Sequence, residues 1–275
     1  MARTLAVVNQ KGGVGKSTTA VNLSAYLAVA GRRVLLVDVD PQGNATTGVG
    51  VNKRELDGCM YDVMVGSRPL ASVVRPTVLE GLAVAPATIE LAGAEVELVG
   101  ALSREFRLRR ALEDVREQYD YVVVDSPPSL GLLTLNAMAA ADGVLVPIQC
   151  EFYALEGLSQ LMRTIEMVRE HLNPGLAIDG VLLTMYDGRT NLSQQVAEDV
   201  RSFFSGRVRV FRTVIPRNVR LTEAPSHGLP IVLYDDTCKG AQAYRELAAE
   251  VMEGEPPGAG ARLAGTHRGD GVPAG

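Results

Sequence analysis

Short hydrophobic runs alternate along the chain with longer segments of helical periodicity. Seven runs are nearly continuous in Val, Leu and Ile, as strands buried on both faces are: TLAVV (4–8), RVLLVDVD (33–40), GLAVAP (81–86), YDYVVVDSPP (119–128), GVLVPIQ (143–149), AIDGVLLTMY (177–186) and VFRTVIP (210–216). Residues 155–172 carry aliphatic side chains at steps of three and four, which form one stripe of a helix: Leu155, Leu158, Leu161, Ile165, Val168 and Leu172. The alternation predicts an α/β fold, a mostly parallel twisted sheet with helices on both faces.

The loop after the first run is a candidate site, because ligands of parallel sheets bind beyond the carboxyl ends of the strands. Its sequence, NQKGGVGKST (9–18), departs from the phosphate-loop pattern G-x-x-x-x-G-K-[ST]: Gln10 replaces the first glycine and Lys11 stands beside it. Glycines let successive N–H groups point at one anion, and the dipole of a helix beginning near Lys16 adds to the attraction. We expect a single P-loop NTPase domain that binds ATP through residues 11–18: Lys11, Gly12, Gly13, Val14, Gly15, Lys16, Ser17 and Thr18.

Within this loop, Lys16 is a catalytic candidate, since the lysine of the pattern reaches the β- and γ-phosphates. Ser17 would offer its hydroxyl to Mg²⁺, and Thr18 would bond a phosphate nearer the sugar. The alternative is a glycine-rich turn that only caps a helix. The order of strand, loop and helix around G-K-[ST] favours the nucleotide site.

Aspartates stand at or near the carboxyl ends of the second and fourth apolar runs, residues 33–40 and 119–128. Asp38 and Asp40 are two residues apart, so they would share a face of an extended strand that Pro41 ends. Asp125 follows four apolar residues, as the aspartate of a Walker B strand does. Carboxylates at this edge can orient a water or hold magnesium. The alternatives are a solvated Asp-Pro-Gln-Gly turn for the first pair and an ordinary strand-closing acid for Asp125.

Composition and charge restrict the kind of protein that this chain can be. The 275 residues are 47% hydrophobic and 21% charged, with a formal net charge of −5, which indicates a globular protein without overall attraction to nucleic acid. The cysteines are too widely spaced for a disulfide framework or a metal site: Cys59, Cys150 and Cys238. This use of cysteine indicates the reducing cytoplasm. No segment approaches about 18 apolar residues, so no membrane crossing is expected. The folded domain is predicted to span residues 1–253, with residues 254–275, rich in Gly, Pro and Ala, as a disordered tail.

Positive charge is concentrated in one part of the chain. Between Met185 and Arg220 there are seven arginines against three acidic residues. Any binding of nucleic acid must therefore be local. The arginines concerned are Arg189, Arg201, Arg207, Arg209, Arg212, Arg217 and Arg220.

Five segments, by their order and spacing, resemble the deviant Walker A family of partition ATPases, the ParA/Soj family: KGGVGKST, LLVDVDPQGNAT, YDYVVVDSPPS, TMYDGRT and VIPRNVRLTEAPSHG. The resemblance covers almost all of residues 3–252. It implies an ATP- and Mg²⁺-dependent homodimer in which Lys11, a second catalytic lysine, reaches the nucleotide of the partner, as an arginine finger does. Asp40 would position the attacking water, while Asp38 and Asp125 would support the metal with Ser17. The adenine would lie close to three consecutive residues: Pro216, Arg217 and Asn218.

The resemblance also implies macromolecular partners. The ATP-bound dimer would bind double-stranded DNA without sequence preference through Arg189, Arg217 and Arg220, and would be associated with the bacterial nucleoid. A ParB-type centromere-binding protein would stimulate hydrolysis and release the dimer, in chromosome or plasmid segregation. The glycine- and proline-rich tail lacks the basic amphipathic helix of membrane-binding relatives, so no membrane contact is expected.

Two alternatives remain open. Each arginine could instead belong to a solvated surface ion pair, since many such pairs contribute nothing measurable. The protein could also be an ATP-switched positioning or regulatory protein that acts on a protein complex rather than on DNA. A polar landmark or the replication initiator would then be its partner.

Overall fold

A computed structural model describes residues 2–151 and 157–254, and one eight-stranded sheet runs through this part of the chain. The strands are β1 (Arg3–Val7), β2 (Val34–Asp38), β3 (Arg75–Pro76), β4 (Leu82–Ala85), β5 (Tyr121–Asp125), β6 (Gly143–Gln149), β7 (Ala177–Tyr186) and β8 (Val210–Pro216). Their spatial order is β3-β4-β2-β5-β1-β6-β7-β8, and every pairing is parallel except that of β3 with β4. The strand that leads into the phosphate loop, β1, therefore lies inside the sheet.

Helices connect the strands. In the described residues they are α1 (Lys16–Val29), α2 (Asn44–Gly48), α3 (Met60–Val65), α4 (Leu70–Val73), α5 (Leu91–Glu97), α6 (Arg107–Glu113), α7 (Leu132–Ala140), α8 (Leu158–His171), α9 (Asn191–Phe204), α10 (Val219–Glu223), α11 (Ile231–Tyr234) and α12 (Lys239–Glu253). Short 3-10 turns occur at Lys53–Glu55, Leu98–Gly100, Arg104–Phe106, Arg116–Gln118 and Ala224–His227.

The strands contribute alternate side chains to two hydrophobic cores, one on each face of the sheet. In β1, Leu5 and Val7 belong to one core and Ala6 to the other. The first core also contains side chains of α1 and α12, and the second contains side chains of α7 and α8. Both faces of the sheet are thus covered, which explains the near-continuous apolar runs. The predicted α/β fold, with a mostly parallel sheet between helices, is confirmed.

Some boundaries differ from the sequence prediction. The apolar pattern does not predict β3, because two residues are too few to show a period; its proline stands at the sheet edge, where proline is tolerated. β2 ends at Asp38 rather than at residue 40: the N–H of Val39 still donates to the carbonyl oxygen of Asp125, and the turn begins at Asp40. The helix predicted over 155–172 is α8, Leu158–His171; Leu155 lies outside the described residues.

The last described helix, α12, ends at Glu253. Of the tail predicted from residue 254, only Gly254 lies within the described residues. All three cysteines are free. None of the helices in the described ranges combines the length and the apolar composition needed to cross a membrane.

A buried carboxylate covers part of the outer edge of β8, whose outward N–H groups have no neighbouring strand. Glu250 accepts hydrogen bonds from the backbone N–H of Arg212 (2.9 Å) and from the N–H and hydroxyl of Thr213 (3.1 and 3.0 Å). The guanidinium of Arg209 pairs with it at 3.0 Å. Burial alone would raise the pKa of Glu250, but these hydrogen bonds hold its pKa below the usual value.

Replacing Glu250 with alanine should lower the free energy of unfolding by about 2–4 kcal/mol, because backbone donors and Arg209 would lose their acceptor. Since the pKa of the native carboxyl is lowered, its stabilising effect is present at neutral pH and is lost as the pH falls through that pKa. Urea unfolding at pH 7 and at acid pH measures both effects. Glu246→Ala, an exposed position on the same helix, is the control, with an expected change under about 0.5 kcal/mol. Equal destabilisation by the two variants would contradict this role.

Candidate functional site

The loop between β1 and α1 has the backbone shape that an anion site requires. Gly13 and Gly15 have φ values of 74° and 89°, in the left-handed region that residues with a Cβ rarely adopt. Thr184, in β7, holds the loop in place because its hydroxyl donates to the carbonyl oxygen of Val14 (2.9 Å). α1 begins at Lys16, directly after this turn, so its amino end and its dipole face the loop.

The two lysines of the loop differ in environment. Lys16 is 6% exposed, and its Nζ donates to the carbonyl oxygen of Lys11 (3.1 Å). Burial lowers the pKa of Lys16, and the charges of Asp125 and Asp40 act against that decrease. The ammonium of Lys11 is exposed and makes no hydrogen bond or ion pair with any described residue. Lys16 is therefore held inside the site, whereas Lys11 can reach a group outside its own chain.

Asp38 and Asp125 lie side by side at the ends of neighbouring strands. They are register partners in the parallel pairing of β2 with β5, and both are fully buried. Burial raises the pKa of Asp38 to about 6, although hydrogen bonds oppose it. Burial and then the charge of Asp38 raise the pKa of Asp125 well above its usual value. The Ser17 hydroxyl and the Lys16 charge act in the opposite direction. A bound cation would favour the ionised form of both carboxyls.

Asp38 holds the loop that follows it. One carboxylate oxygen accepts from the N–H of Asp40 (3.1 Å), and the other accepts from the N–H and hydroxyl of Thr46 (2.8 and 2.7 Å). The Thr46 hydroxyl oxygen also accepts from the N–H of Ala87, just after β4 (2.9 Å). The segment from β2 to α2 is thereby tied to the neighbouring strand of the sheet.

The Asp-Pro-Gln-Gly segment does form a turn, in which Asp40 accepts from the N–H of Gln42 (2.9 Å). Gln42 is exposed, but Asp40 itself is only 5% exposed, so its carboxylate is not a solvated turn residue. β2 ends at Asp38 and the turn begins at Asp40, so only Asp38 lies in the strand itself, and the expectation that the two carboxylates share a face stays a prediction. Both carboxylates nevertheless lie in the same group of charges, together with Asp125 and Lys16.

Within the described part of the chain, the Ser17 hydroxyl is close enough to Asp125 to lower its pKa, but no donor meets full hydrogen-bond geometry with either carboxylate oxygen. A buried ionised oxygen without a partner is costly, so this carboxylate is suited to a ligand. No three His, Cys, Asp or Glu side chains come together as a metal site within residues 2–151 and 157–254. Mg²⁺ beside a nucleotide needs no such cluster, because one or two carboxylates, phosphate oxygens and water complete its shell. Asp125 and the Ser17 hydroxyl fit that requirement.

A cleft of about 920 Å³ lies over the phosphate loop, within the size range of small-molecule sites. The residues that line it include many of those predicted to bind or act on the nucleotide: Gly12, Gly13, Gly15, Lys16, Ser17, Thr18, Asp40, Pro216, Arg217 and Asn218. The other predicted residues do not line it: Lys11, Val14, Asp38 and Asp125. Asp38 and Asp125 are fully buried, whereas Lys11 is exposed. The fold thus brings the loop after β1, the turn after β2 and the segment after β8 to one cleft.

The arginines predicted to contact DNA adjoin this cleft. Arg217 lines it directly. Arg189 donates twice to Asp187 (2.9 and 2.7 Å), and these bonds lower the pKa of Asp187 to about 2, with a smaller effect from the charge of Arg217. Arg220 pairs with Glu223 at 2.9 Å. Two of the three arginines are therefore paired with acids in the isolated chain.

Three residues of the site have no counterpart in the sequence prediction. Thr46 and Thr184 are buried hydroxyls whose partners are 41 and 170 residues away in the chain, so no local pattern reveals them. Lys53 belongs to a polar loop, yet it lines the cleft and its Nζ donates to the carbonyl oxygen of Gln42 (2.7 Å). Of these three residues, only Thr184 had a sequence feature that could have pointed to the site: it is a polar residue close to the carboxyl end of an apolar strand.

A glycine-rich loop between a buried strand and a helix, with an enclosed lysine and adjacent strand-end carboxylates, defines a P-loop nucleoside triphosphatase. A family model described as "AAA domain" matches residues 2–178. The sporulation initiation inhibitor protein Soj of Bacillus subtilis (strain 168) is 59% identical over 91% of this chain and 98% of its own length. The chromosome-partitioning ATPase Soj of Thermus thermophilus is 56% identical over 91% of this chain and 95% of its own length.

A solved structure of another protein has the same fold. Cobyrinic acid a,c-diamide synthase from Mycobacterium smegmatis, with bound ATP analogue and magnesium, is 41% identical, with a TM-score of 0.81 over 92% of this chain and 95% of that chain. From these similarities, the chain belongs to the ParA/Soj family of chromosome-partitioning ATPases. It is an ATPase with the P-loop fold.

Asp125→Asn should stabilise the protein when no ligand is bound, with EDTA present. Because the pKa of the native carboxyl is raised, wild-type stability falls as the pH rises from the unfolded-state value near 4 through the folded-state pKa. Asparagine cannot ionise, so the variant should exceed wild type by about 1 kcal/mol or more in urea unfolding at pH 8, and by less at pH 5.

Asp120→Asn is the matched control, because Asp120 lies at the opposite edge of the sheet and Arg33 lowers its pKa. Its loss should destabilise slightly at pH 8, within about 1 kcal/mol for an exposed pair. A destabilised Asp125→Asn variant at pH 8 would contradict the assignment of Asp125 as an unsatisfied buried acid.

Proposed function

We propose that this chain is a DNA-partition ATPase whose ATP-bound dimer binds double-stranded DNA without sequence preference. ATP and Mg²⁺ would bind in the cleft, and a ParB-type centromere-binding protein would stimulate hydrolysis and release the dimer from the nucleoid. The chromosome-partitioning ATPase Soj of Thermus thermophilus, at 56% identity, favours this function over the synthase activity named for the 41% identical Mycobacterium protein.

Nucleotide binding is supported by the loop and the charges around it. Lys16 is positioned to meet the β- and γ-phosphates, and Ser17 and Asp125 would hold Mg²⁺, which neutralises charge that develops on the phosphates. Pro216, Arg217 and Asn218 line the cleft after β8, where they would flank the adenine.

Hydrolysis would proceed by in-line attack of a water on the γ-phosphate. Asp40 is a candidate to position that water, because it lines the cleft beside the phosphate loop. Asp38 would act through Asp40. Its carboxylate accepts from the backbone N–H of Asp40, and this bond fixes the turn that presents the Asp40 carboxylate to the cleft. In this scheme Asp38 contributes more to positioning than to direct metal contact, since its oxygens already accept three hydrogen bonds.

Dimerisation is supported by the exposed ammonium of Lys11. A cation at the mouth of the phosphate loop, without a partner among the described residues, can meet the triphosphate of a second copy. The negative charge of the γ-phosphate, which ADP lacks, would then determine whether two copies associate into a dimer. Val14 would contribute through its backbone, which Thr184 holds in place.

The observation that carries the DNA-binding part is the position of Arg217. This arginine lines the nucleotide cleft, and its charge also acts on Asp187, the acid that pairs with Arg189. Charge that can face DNA is thus adjacent to the nucleotide site. In a dimer, two such patches on one rigid body would raise the affinity by effective concentration.

The ion pairs explain why a single chain would bind DNA weakly. A phosphate must replace Asp187 on Arg189 and Glu223 on Arg220, and an exchange between exposed pairs yields little net energy. The favourable contribution comes from release of counterions by DNA, which depends strongly on salt. Formation of the dimer doubles the number of contacts.

Co-sedimentation with linear double-stranded DNA tests the proposal, with ATP, with ADP and without nucleotide, at two salt concentrations. We expect binding with ATP only, and a loss of about tenfold or more when the salt is raised about fourfold. Arg189→Ala should weaken binding in ATP. Arg33→Ala is the control. It removes an arginine that is paired with Asp120 at the amino ends of the strands, and it should leave DNA binding unchanged.

Nucleotide-independent binding, or equal losses in both arginine variants, would contradict the proposal. ATP-dependent self-association without DNA binding would favour the other function, an ATP-switched positioning or regulatory protein that acts on a protein complex, such as a polar landmark or the replication initiator.

A further inference from the structure

One segment exposes a row of apolar side chains that the nucleotide site does not use. Turn hydrogen bonds begin at Thr88, and α5 continues through the 3-10 turn at Leu98–Gly100. The first four exposed apolar residues follow one another at steps of three or four, which places them along one side of a helical segment. Leu102 comes just after this segment, beyond the extended backbone of Ala101. We call the five exposed residues the 89–102 stripe: Ile89, Ala92, Val96, Val99 and Leu102.

The helical segment is apolar on two sides. Leu91, Ala94 and Leu98 face the core and are buried. On the other side, Val96 is 75% exposed and Val99 is 64% exposed. A helical segment with apolar residues on both sides is normally covered on both, and monomeric proteins rarely leave a continuous apolar patch open to water.

The charge around the stripe indicates what covers it. Residues 77–103 contain four glutamates and no lysine, arginine or histidine. Arg104, which follows and donates to the carbonyl oxygen of Val99, is paired with Glu105 (3.0 Å). Three of the glutamates lie within the helical segment: Glu90, Glu95 and Glu97. Two copies that met through this surface would place these acids against each other, and like charges across an interface oppose association.

We propose that the 89–102 stripe is the docking site of a basic amphipathic helix from a partner protein. Apolar residues of such a helix, at steps of three and four, would pack on Val96 and Val99, while its lysines or arginines would face the glutamates. The residues of this chain beyond 254 do not suit the role, since Leu263 and Val272 are their only large aliphatic residues among glycines and prolines.

A synthetic helix tests the docking site on the full-length protein. The probe is a fluorescein-labelled peptide of about 18 residues, long enough to form a helix, with leucines at steps of three and four and lysines between them. Fluorescence anisotropy is measured without nucleotide or DNA, so that the result does not depend on the proposed function. We expect saturable binding that weakens with salt, and no binding of the same peptide with glutamate in place of lysine.

The decisive comparison is between two double variants with the same substitutions. Val96→Ser with Val99→Ser should weaken peptide binding by about tenfold or more, because it removes the centre of the apolar surface. Val29→Ser with Val78→Ser alters two valines of similar exposure, 54% and 59%, elsewhere on the protein and should leave the affinity unchanged. Circular dichroism and thermal unfolding confirm that both variants are folded.

Three results would overturn the proposal. The first is equal affinity of the peptide for wild type and for the Val96/Val99 variant, and the second is the absence of saturable binding. The third is a Val96/Val99 variant that loses ATP-dependent self-association in sedimentation velocity, which would assign the stripe to a contact between copies of this chain.

Discussion

Two carboxylic acids buried side by side are the constraint around which this site is organised. Asp38 and Asp125 end neighbouring parallel strands in register, in a sheet that is covered on both faces. Burial raises the pKa of both carboxyls in the isolated chain, and the charge of Asp38 raises that of Asp125 further. One buried lysine, Lys16, offsets only part of this charge. The site is therefore electrostatically incomplete without a ligand that carries positive charge.

The two carboxylates resolve this constraint differently. Asp38 uses its oxygens to hold the chain, through Asp40 and Thr46, and so it shapes the turn beside the phosphate loop. In the described residues Asp125 makes no well-formed hydrogen bond through either oxygen and has only the Ser17 hydroxyl close by, which leaves it suited to a metal ion. Thr46 extends the first network to Ala87, at the start of the segment that carries the 89–102 stripe. The site and this surface are thus joined by three consecutive hydrogen bonds from Asp40 onward.

Much of the fold and part of the site can be predicted from the sequence. Near-continuous apolar runs predict seven of the eight strands, because burial on both faces removes the need for polar positions; β3 is too short to show any period. The loop at residues 11–18 and the strand-end position of Asp125 are visible because they depend on neighbouring residues in the chain.

The remaining features depend on contacts between distant segments. The bond from Thr184 to Val14 and the pairing of Arg189 with Asp187 appear only when the side chains are placed. The two sides of α5 are equally apolar in sequence, so the pattern does not say which side is buried. Likewise, the sequence suggests one strand that contains both Asp38 and Asp40, whereas β2 ends at Asp38 and Asp40 begins the turn.

Sedimentation velocity most directly tests the central claim, that a triphosphate bound at this incomplete site joins two copies through Lys11. With Mg²⁺ and a non-hydrolysable ATP analogue, wild type should sediment as a dimer, and with ADP as a monomer. Lys11→Ala should bind the analogue and remain monomeric. Single copies of wild type with the analogue at tens of micromolar protein, or a Lys11→Ala dimer of unchanged affinity, would contradict the claim.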